Sequence, residues 1–152
     1  MSGSDALSLP AEEFLPHRAP MLLVETLSDY ADLAGTVETT VAEGGLLLDD
    51  SGCLEPVALA ELLAQAFGVV KGHADRLAGL EVREGFLVGI KKAEFLRPVR
   101  AGEALRIAVR TVATLEGFTV AEGEVLSGGE TVASGSIKIW VPKRALSTGE
   151  GA

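Results

Sequence analysis

Glu61 and Gln65 are the only polar side chains in the apolar run PVALAELLAQAFGVV at residues 56–70. Their spacing of four residues places both side chains on one stripe of a helix. A carboxylate is costly to bury among aliphatic side chains, so Glu61 is a candidate proton donor or else a structural carboxylate held by hydrogen bonds. Gln65 is a candidate to orient that carboxylate or to bind a substrate, and alternatively to bond the backbone of a strand.

Two histidines, His17 and His73, are available as a general base. Imidazole suits the removal of a carbon-bound proton near neutral pH. His17 lies in a segment bracketed by Pro16 and Pro20, from which it could reach the Glu61 pocket within one chain or across a dimer interface, or could simply fix the turn. His73 lies in a polar stretch next to a glycine, and we interpret it as solvated.

Further reactive groups lie in the loop GGLLLDDSGC, residues 44–53, just before the apolar run. Asp49 and Asp50 could supply a carboxylate base, although aspartates beside glycine are typical of turns. Cys53 could act as a nucleophile only beside a base, and a lone cysteine is more often a small buried hydrophobe. We therefore interpret the two aspartates as turn residues and Cys53 as inert.

The composition argues against several classes of function. The chain has 152 residues, which fits one domain, and a formal net charge of −9 at pH 7. An acidic chain without a cationic stripe is a poor ligand for nucleic acid or for an anionic membrane. One cysteine and two histidines allow neither an intrachain disulfide nor a thiolate metal cluster. These features, and an N-terminus unlike a signal peptide, predict a cytoplasmic protein without a metal site.

The apolar run is predicted to form a buried helix, because it is rich in alanine and leucine and apolar on all sides. It is too short and too polar to cross a bilayer. Alternation of apolar and polar residues predicts antiparallel strands on both sides of this helix in the sequence. The predicted strands are residues 21–30, 33–41, 85–96, 104–114, 118–126 and 131–141, the first two joined as a hairpin through Ala31 and Asp32.

One long antiparallel sheet wrapped around a central apolar helix satisfies this order of elements. That arrangement is the α+β hot-dog fold. We expect it to occupy residues 10–142, with flexible termini at residues 1–9 and 143–152.

Four segments resemble motifs of the hot-dog-fold beta-hydroxyacyl-acyl carrier protein dehydratases. They are LPHRAPMLLVETL at residues 15–27, AELLAQAFG at 60–68, FLVGIKKAEFLRPVRAGEALRI at 86–107, and ETVASGSIKIWV at 130–141. They occur in the order of that family and cover most of the chain. The resemblance implies dehydration of a 3-hydroxyacyl thioester to a trans-2-enoyl thioester.

The resemblance also implies roles for individual residues. Glu61 would handle the departing hydroxyl group. The histidine of the opening motif is usually not the base in that family, and His17 is a candidate here because the chain has only two histidines. Gln65, Gly89, Lys91, Lys92 and Arg97 would border the acyl tunnel, where the cations could bind an acidic acyl carrier protein or the phosphate of a phosphopantetheine, or could equally form a solvated strand face. No cofactor is implied, because the pantetheine arrives as part of an acyl carrier protein or acyl-CoA substrate. Pairing of edge strands predicts a homodimer or a larger assembly of dimers.

One motif of the family is missing from this chain. The resembled dehydratases carry a G-H-F-P-G motif in the loop before the helix, with the catalytic histidine in it, and here the matching position falls near Leu47. Two alternatives to the dehydratase therefore stay open at this point. One is a non-catalytic hot-dog subunit that holds an acyl chain or pairs with an active dehydratase. The other is a thioesterase that uses the helix carboxylate to activate water.

Overall fold

The computed structural model describes residues 7–45, 47–83 and 85–142. These residues form one antiparallel sheet and one long helix, α1, at Val57–Leu77. The predicted α+β hot-dog architecture is confirmed. The predicted flexible tail at residues 143–152 lies outside the described residues, as does most of the N-terminal one, but Leu9 pairs with Leu27 and is therefore part of the sheet.

Seven strands make up the sheet of the described residues, in the order β1-β2-β3-β5-β6-β7-β4. They are β1 (Leu9–Pro10), β2 (Thr26–Ala31), β3 (Ala34–Thr40), β4 (Phe86–Phe95), β5 (Ala104–Leu115), β6 (Phe118–Ser127) and β7 (Glu130–Trp140). The chain leaves the sheet after β3, runs through α1, and re-enters at the opposite edge with β4. Strand β4 therefore pairs with β7 alone and leaves its other side open.

Helix α1 is almost two turns longer than the predicted run at residues 56–70. The apolar pattern ends at Val70, but the helix continues because Lys71 and Asp75 form an ion pair one turn apart, with 2.7 Å between Nζ and Oδ1. Gly72 allows the aromatic ring of Phe14 to pack against this last part, since a Cβ there would lie 2.9 Å from the Cβ of Phe14. The polar residues after Val70, which lie outside the predicted run, are therefore part of the helix as far as Leu77.

The core lies between α1 and the concave face of the sheet. Helix residues Leu59, Leu63 and Val70 are 1–2% exposed, and they face strand residues such as Ile107 and Ile137, which are 0% and 2% exposed. Each large side chain buried in this way contributes about 1.5–3 kcal/mol relative to an exposed one. This packing fixes the rotation of α1 about its axis, and hence the direction in which its two polar side chains point.

The segment before β2 differs from the prediction, which placed a strand from Met21 onward. Residues 21–24 form no strand, because two of their backbone groups bond a helix side chain instead of a neighbouring strand. The carbonyl oxygen of Met21 and the N–H of Leu23 both bond the amide of Gln65, at 2.9 Å and 2.8 Å. Regular pairing with β3 starts only at Glu25, whose N–H donates to Glu38.

The opening segment, residues 11–25 between β1 and β2, lies along α1, and a glycine of the helix permits this close approach. A Cβ at Gly68 would lie 2.8 Å from Cδ2 of Leu15, closer than ordinary packing allows. Phe14 is buried against the same part of the helix, and the guanidinium of Arg76 bonds the carbonyl oxygen of Glu13 at 2.9 Å. These contacts bring the next residues of the segment, including His17, beside the polar stripe of the helix. Among the described residues, no helix is long and apolar enough to span a membrane.

Candidate active site

His17 and Glu61 meet within a single chain. The Nε2 atom of His17 lies 3.4 Å from Oε2 of Glu61, and each side chain is 32% exposed. Glu61 is therefore at the rim of the core, less enclosed than its apolar neighbours in the sequence suggested. The histidine comes from the opening segment and the carboxylate from α1, so their contact depends on how the segment packs against the helix.

Gln65 holds this pair in place. It is 1% exposed, and its Nε2 donates hydrogen bonds to Oε2 of Glu61 at 2.7 Å and to the carbonyl oxygen of Met21 at 2.9 Å. Its Oε1 accepts a bond from the N–H of Leu23 at 2.8 Å. Both of the roles considered for Gln65 from the sequence, orienting the carboxylate and bonding the backbone, are present in this geometry. The same side-chain amide of Gln65 bonds the backbone of Met21 and Leu23 and the carboxylate of Glu61. The position of the carboxylate is therefore coupled to that of the opening segment.

A cavity of about 200 Å³ opens beside the pair. His17, Glu61 and Gln65 line one part of it. Most of its other walls are apolar side chains of the opening segment, α1, β4 and the end of the sheet: Phe14, Leu15, Phe67, Phe86, Leu87, Ile139 and Val141. An acid and a base at the wall of an apolar cavity can move protons on a substrate whose body is hydrophobic.

The two oxygen atoms of the Glu61 carboxylate have different surroundings. Both the Gln65 bond and the His17 contact involve Oε2. Within the described part of the chain, no hydrogen bond engages Oε1. This oxygen is consequently the one available to a substrate group, while Oε2 anchors the carboxylate and faces the imidazole.

Lys71 and Arg83 also line the cavity, and sequence reasoning missed both. Lys71 lies ten residues after Glu61 and shares its helical stripe. That signal would have been usable had the predicted helix extended beyond Val70. Arg83 follows the helix in an irregular segment, and no pattern in the sequence points to it.

None of the described residues of the loop before α1 lines this cavity. The Oδ1 atom of Asp49 accepts bonds from the hydroxyl of Ser51 at 2.7 Å, from the N–H of Ser51 at 2.9 Å and from the N–H of Cys53 at 3.0 Å. These bonds, that of the Ser51 hydroxyl first, hold the pKa of Asp49 below its ordinary value. Asp49 is thus a turn residue, as its neighbours in the sequence suggested.

Leu47 lies near the position where the resemblance would place the histidine of the family. It lines a separate apolar cavity of about 130 Å³ together with Leu48, Leu54 and Leu62. The loop packs here as part of the hydrophobic structure, so the base of this site has to come from another segment.

The cations and the glycine of β4 lie away from the cavity of their own chain. Gly89 and Lys91 are absent from its lining, and Lys92 lines a hollow on the opposite face of the sheet. Lys92 has a φ of 55°, at an irregularity in the pairing of β4 with β7 between Lys91 and Glu94. The structure therefore separates these residues from His17 and Glu61, and no contact within the chain supports their predicted role in substrate binding.

Arg97 is engaged in an ion-pair network. Its guanidinium donates to both carboxylate oxygens of Glu103, at 3.1 Å and 3.3 Å, and to Glu130 at 3.3 Å. Glu103 also accepts bonds from the hydroxyl of Ser127 at 2.6 Å and from the N–H of Arg100 at 2.8 Å. This network joins the turn between β4 and β5 to the hairpin of β6 and β7, a structural task that the sequence-based assignment to substrate did not anticipate.

These bonds make Glu103 a determinant of stability in acid. The Arg97 guanidinium, with the Ser127 hydroxyl and the Arg100 N–H, lowers the pKa of Glu103 from 4.5 to about 2. We expect Glu103→Gln to lower the free energy of unfolding by about 2 kcal/mol at pH 7. Because the pKa is depressed in the folded state, this contribution is complete above pH 4.5 and is lost as the pH falls towards 2. Urea unfolding of both proteins should give a difference that shrinks with falling pH, and a constant difference would contradict the assignment.

His73 is not simply solvated. Its ring lies edge-on to Tyr30 and Phe14, with centroid distances of 4.8 Å and 5.8 Å. It is half-buried and lies outside the cavity lining. His17 is accordingly the histidine that the structure brings to Glu61.

A hollow of about 720 Å³ lies on the sheet face that points away from α1. Charged side chains such as Arg110, Glu122 and Glu124 line it, and Arg110 and Glu122 pair with each other at 2.6 Å. It contains no histidine, and its carboxylates lie in an open, polar setting. The smaller cavity beside His17 and Glu61 is therefore the better candidate for chemistry.

Comparison with known proteins points to one class of enzyme. The model of the ApeP-like family, described as ApeP dehydratase, matches residues 9–149. The 3-hydroxyacyl-acyl-carrier-protein dehydratase FabZ of Halorhodospira halophila is 33% identical over 134 residues, 84% of this chain and 86% of the relative. The FabZ of Histophilus somni is 30% identical over 121 residues, 76% of this chain and 79% of the relative.

Solved structures share the fold. The dehydratase heterocomplex ApeI:P from Xenorhabdus doucetiae contains a chain that matches with a TM-score of 0.81 and 27% identity, over 89% of this chain and 92% of that one. A hypothetical thioesterase with coenzyme A from Streptococcus pneumoniae matches with a TM-score of 0.61 and 17% identity, over 76% of this chain and 84% of the other. At that identity the second match is evidence for the fold alone.

Proposed function

Because this chain belongs to the ApeP-like dehydratase family, we propose that it dehydrates 3-hydroxyacyl thioesters with His17 and Glu61 as its catalytic residues. Two relatives that are 30% and 33% identical, and that match 76% and 84% of this chain, are 3-hydroxyacyl-acyl-carrier-protein dehydratases. The observation that carries the residue assignment is the 3.4 Å contact between Nε2 of His17 and Oε2 of Glu61 at the wall of an apolar cavity.

The elimination requires a base that acts at one carbon atom of the substrate and an acid that acts on the hydroxyl group of the neighbouring carbon atom. His17 in its neutral form accepts the proton from C2, next to the thioester carbonyl. Glu61 in its protonated form gives a proton from Oε1 to the hydroxyl on C3, which leaves as water while the double bond forms between C2 and C3. Acid and base catalysis of this kind contributes about 10²–10⁴-fold each to the rate.

The contact between the two side chains then restores the starting state. After the reaction His17 is an imidazolium and Glu61 a carboxylate, separated by 3.4 Å. The proton passes from Nε2 to Oε2 across this contact, and exchange with solvent at the carboxyl group, which is 32% exposed, places a proton on Oε1 again for the next substrate.

Backbone N–H groups at the start of a helix can polarise a thioester carbonyl. The N–H groups of Ala58 and Leu59 already donate to the carbonyl oxygens of Glu55 and Pro56, at 2.9 Å and 3.1 Å. The aligned peptide dipoles at this end of the helix still favour negative charge, but these two groups are not free to bond an oxyanion.

The proposed substrate carrier is an acyl carrier protein or coenzyme A. The elimination changes no oxidation state and is complete with one acid and one base, so the proposal needs no metal or redox cofactor. The proposed compartment is the reducing cytoplasm, which the single cysteine of the chain supports.

We propose that the assembly forms through β4. Phe86, Val88 and Phe95 on this strand are 47%, 51% and 42% exposed, and its outer edge has no partner among the described strands. A long apolar edge strand of this kind is stable in solution only when another strand covers it. The partner is a second hot-dog subunit, identical or related, and it would also cover the side of the cavity formed by Phe86 and Leu87. Light scattering of the purified protein tests this, and a stable monomer would contradict it.

A direct assay tests the proposed activity. The purified protein, mixed with crotonyl-CoA or crotonyl-acyl carrier protein, should convert it to the 3-hydroxybutyryl thioester, seen as loss of the enoyl absorbance. The reverse reaction should restore that absorbance. Release of free thiol without hydration would identify a thioesterase instead, and absence of both reactions on either carrier would refute the assignment to an enzyme.

A further inference from the structure

Two cations, Lys71 and Arg83, line the cavity at a distance from the catalytic pair. Lys71 follows Glu61, Gln65 and Gly68 along the same stripe of α1. Ten residues separate it from Glu61, which corresponds to about 15 Å along the helix axis. The lining contains no α1 residue before Glu61, so the cavity extends from the catalytic pair towards the C-terminal end of the helix.

Both cations have hydrogen-bond donors to spare. Nζ of Lys71 donates to Oδ1 of Asp75 at 2.7 Å, and Asp75 is 5% exposed, so this carboxylate fixes the position of the ammonium group. An ammonium has three donors, and two of them remain. For Arg83, no hydrogen bond or ion pair connects the guanidinium to any part of the chain that the structure describes.

The charge along the cavity is uneven. Glu61 is the only carboxylate among the described lining residues, and it lies at one end with His17. Lys71 lies towards the other end, and Arg83 follows Val82, whose Cγ1 would lie 3.3 Å from a Cβ at Gly72 beside Lys71. These two cations line the cavity of a chain whose net charge is −9. The walls between the ends are apolar, formed by side chains such as Phe67, Phe86 and Ile139.

These walls indicate which part of a thioester substrate enters. The pantetheine arm contains two amide groups, and amides buried without hydrogen-bond partners are costly. The apolar middle of the cavity offers no polar side chain to them, whereas it suits the hydrocarbon part of an acyl chain. A chain with its C3 hydroxyl at Glu61 would thus extend towards Lys71 and Arg83.

We propose that Lys71 and Arg83 select acyl chains that end in an oxygen-bearing group, a carboxylate or a hydroxyl. A methyl end would displace water from both cations and give no hydrogen bond in return, whereas an oxygen acceptor replaces the water. This inference rests on the proposed dehydratase function and adds a specificity for the far end of the acyl chain. Asp75 acts through Lys71 and is a positioning residue.

Matched substrates test the proposal. Trans-2-enoyl thioesters of one chain length, ending in methyl, hydroxyl or carboxylate, are compared by rate of hydration. Each chain is presented both on coenzyme A and on N-acetylcysteamine, which has no phosphate. The wild-type protein should prefer the oxygen-ended chains by about tenfold or more in kcat/KM on both carriers, a ratio expected for a site that bonds a substrate oxygen.

Variants identify the residues responsible. Arg83→Gln and Lys71→Gln should each reduce the preference several-fold, with a larger loss of kcat/KM on the oxygen-ended chains than on the methyl-ended chain. Arg100→Gln is the matched control and should keep the preference, because Arg100 is exposed, lies outside the cavity and outside β4, and bonds Glu103 through its backbone N–H. Arg83→Gln removes no contact within the described chain, so it tests the proposal even if Lys71→Gln, which alters the partner of Asp75, folds poorly.

Three results would overturn the inference. One is a wild-type protein that turns over crotonyl thioesters but shows no preference for an end group. Another is a pair of variants that lose activity equally on all chains. The third is a loss that follows coenzyme A rather than the chain end, which would assign the cations to a phosphate of the carrier. A wild-type protein inactive on every substrate would instead refute the dehydratase function itself.

Discussion

Glu61→Gln is expected to lower kcat for dehydration by about 10³-fold while leaving the fold intact, because the amide cannot give a proton to the leaving hydroxyl. The substitution preserves size, and the new side-chain oxygen can still accept the 2.7 Å bond from Nε2 of Gln65. The kinetic assay is single-turnover conversion of a 3-hydroxybutyryl thioester, and thermal unfolding of the same preparation reports on the fold.

The matched control for this substitution is Glu55→Gln. Glu55 is an exposed carboxylate just before α1, outside the cavity, and its replacement should leave kcat within about twofold of the wild-type value. If Glu61→Gln retained most of its activity, the role of Glu61 as an acid would be refuted, whatever the behaviour of the control.

His17→Gln is expected to lower kcat by about 10²–10³-fold, because an amide at this position cannot accept the proton from C2. His73→Gln is the control, since His73 is the other histidine of the chain and packs against Tyr30 and Phe14 outside the cavity. Equal losses in the two variants would point to a structural effect and would argue against His17 as the base.

Deuterium exchange separates the two roles. In D₂O the wild-type protein should exchange the C2 hydrogen of a saturated butyryl thioester, a reaction that needs the base and no leaving group. Glu61→Gln should retain this exchange, and His17→Gln should lose it. The opposite pattern would reverse the assignment of acid and base. The kcat of the double variant, with both His17→Gln and Glu61→Gln, should be about that of the slower single variant, because the two residues act as one unit.

Position of the base distinguishes this site from the motif of the resembled dehydratases. There the histidine comes from the loop before the helix, whereas here Leu47 lies near the matching position and lines an apolar cavity. His17 reaches the helix carboxylate from the opening segment, where Gly68 leaves room for Leu15 to pack closely. The same fold can therefore bring an imidazole to the helix from a different part of the chain.

The sequence by itself determined the architecture and the leading site residues. Alternation of apolar residues in β5 and β7 predicted their buried faces, and the apolar run with its two polar residues predicted a central helix. Those periodicities are local, and they follow directly from the geometry of strands and helices. Glu61, Gln65 and His17 were identifiable from their local context as well. Glu61 and Gln65 are polar residues in an apolar run, and His17 lies between two prolines, so a hydrogen-bonding or catalytic role accounts for each of them.

Tertiary structure decided which of the candidates meet. His17 and Glu61 are 44 positions apart, and their 3.4 Å contact depends on packing at Gly68 and on the bonds from Gln65 to Met21 and Leu23. The pattern of apolar residues could not predict the length of α1 either, because the Lys71–Asp75 pair and contacts with the opening segment stabilise its last turns. Arg97 was expected from the sequence to border the acyl tunnel, and in the fold its guanidinium pairs with Glu103 and Glu130. Contacts of this kind join residues distant in the chain, and local periodicity carries no information about them.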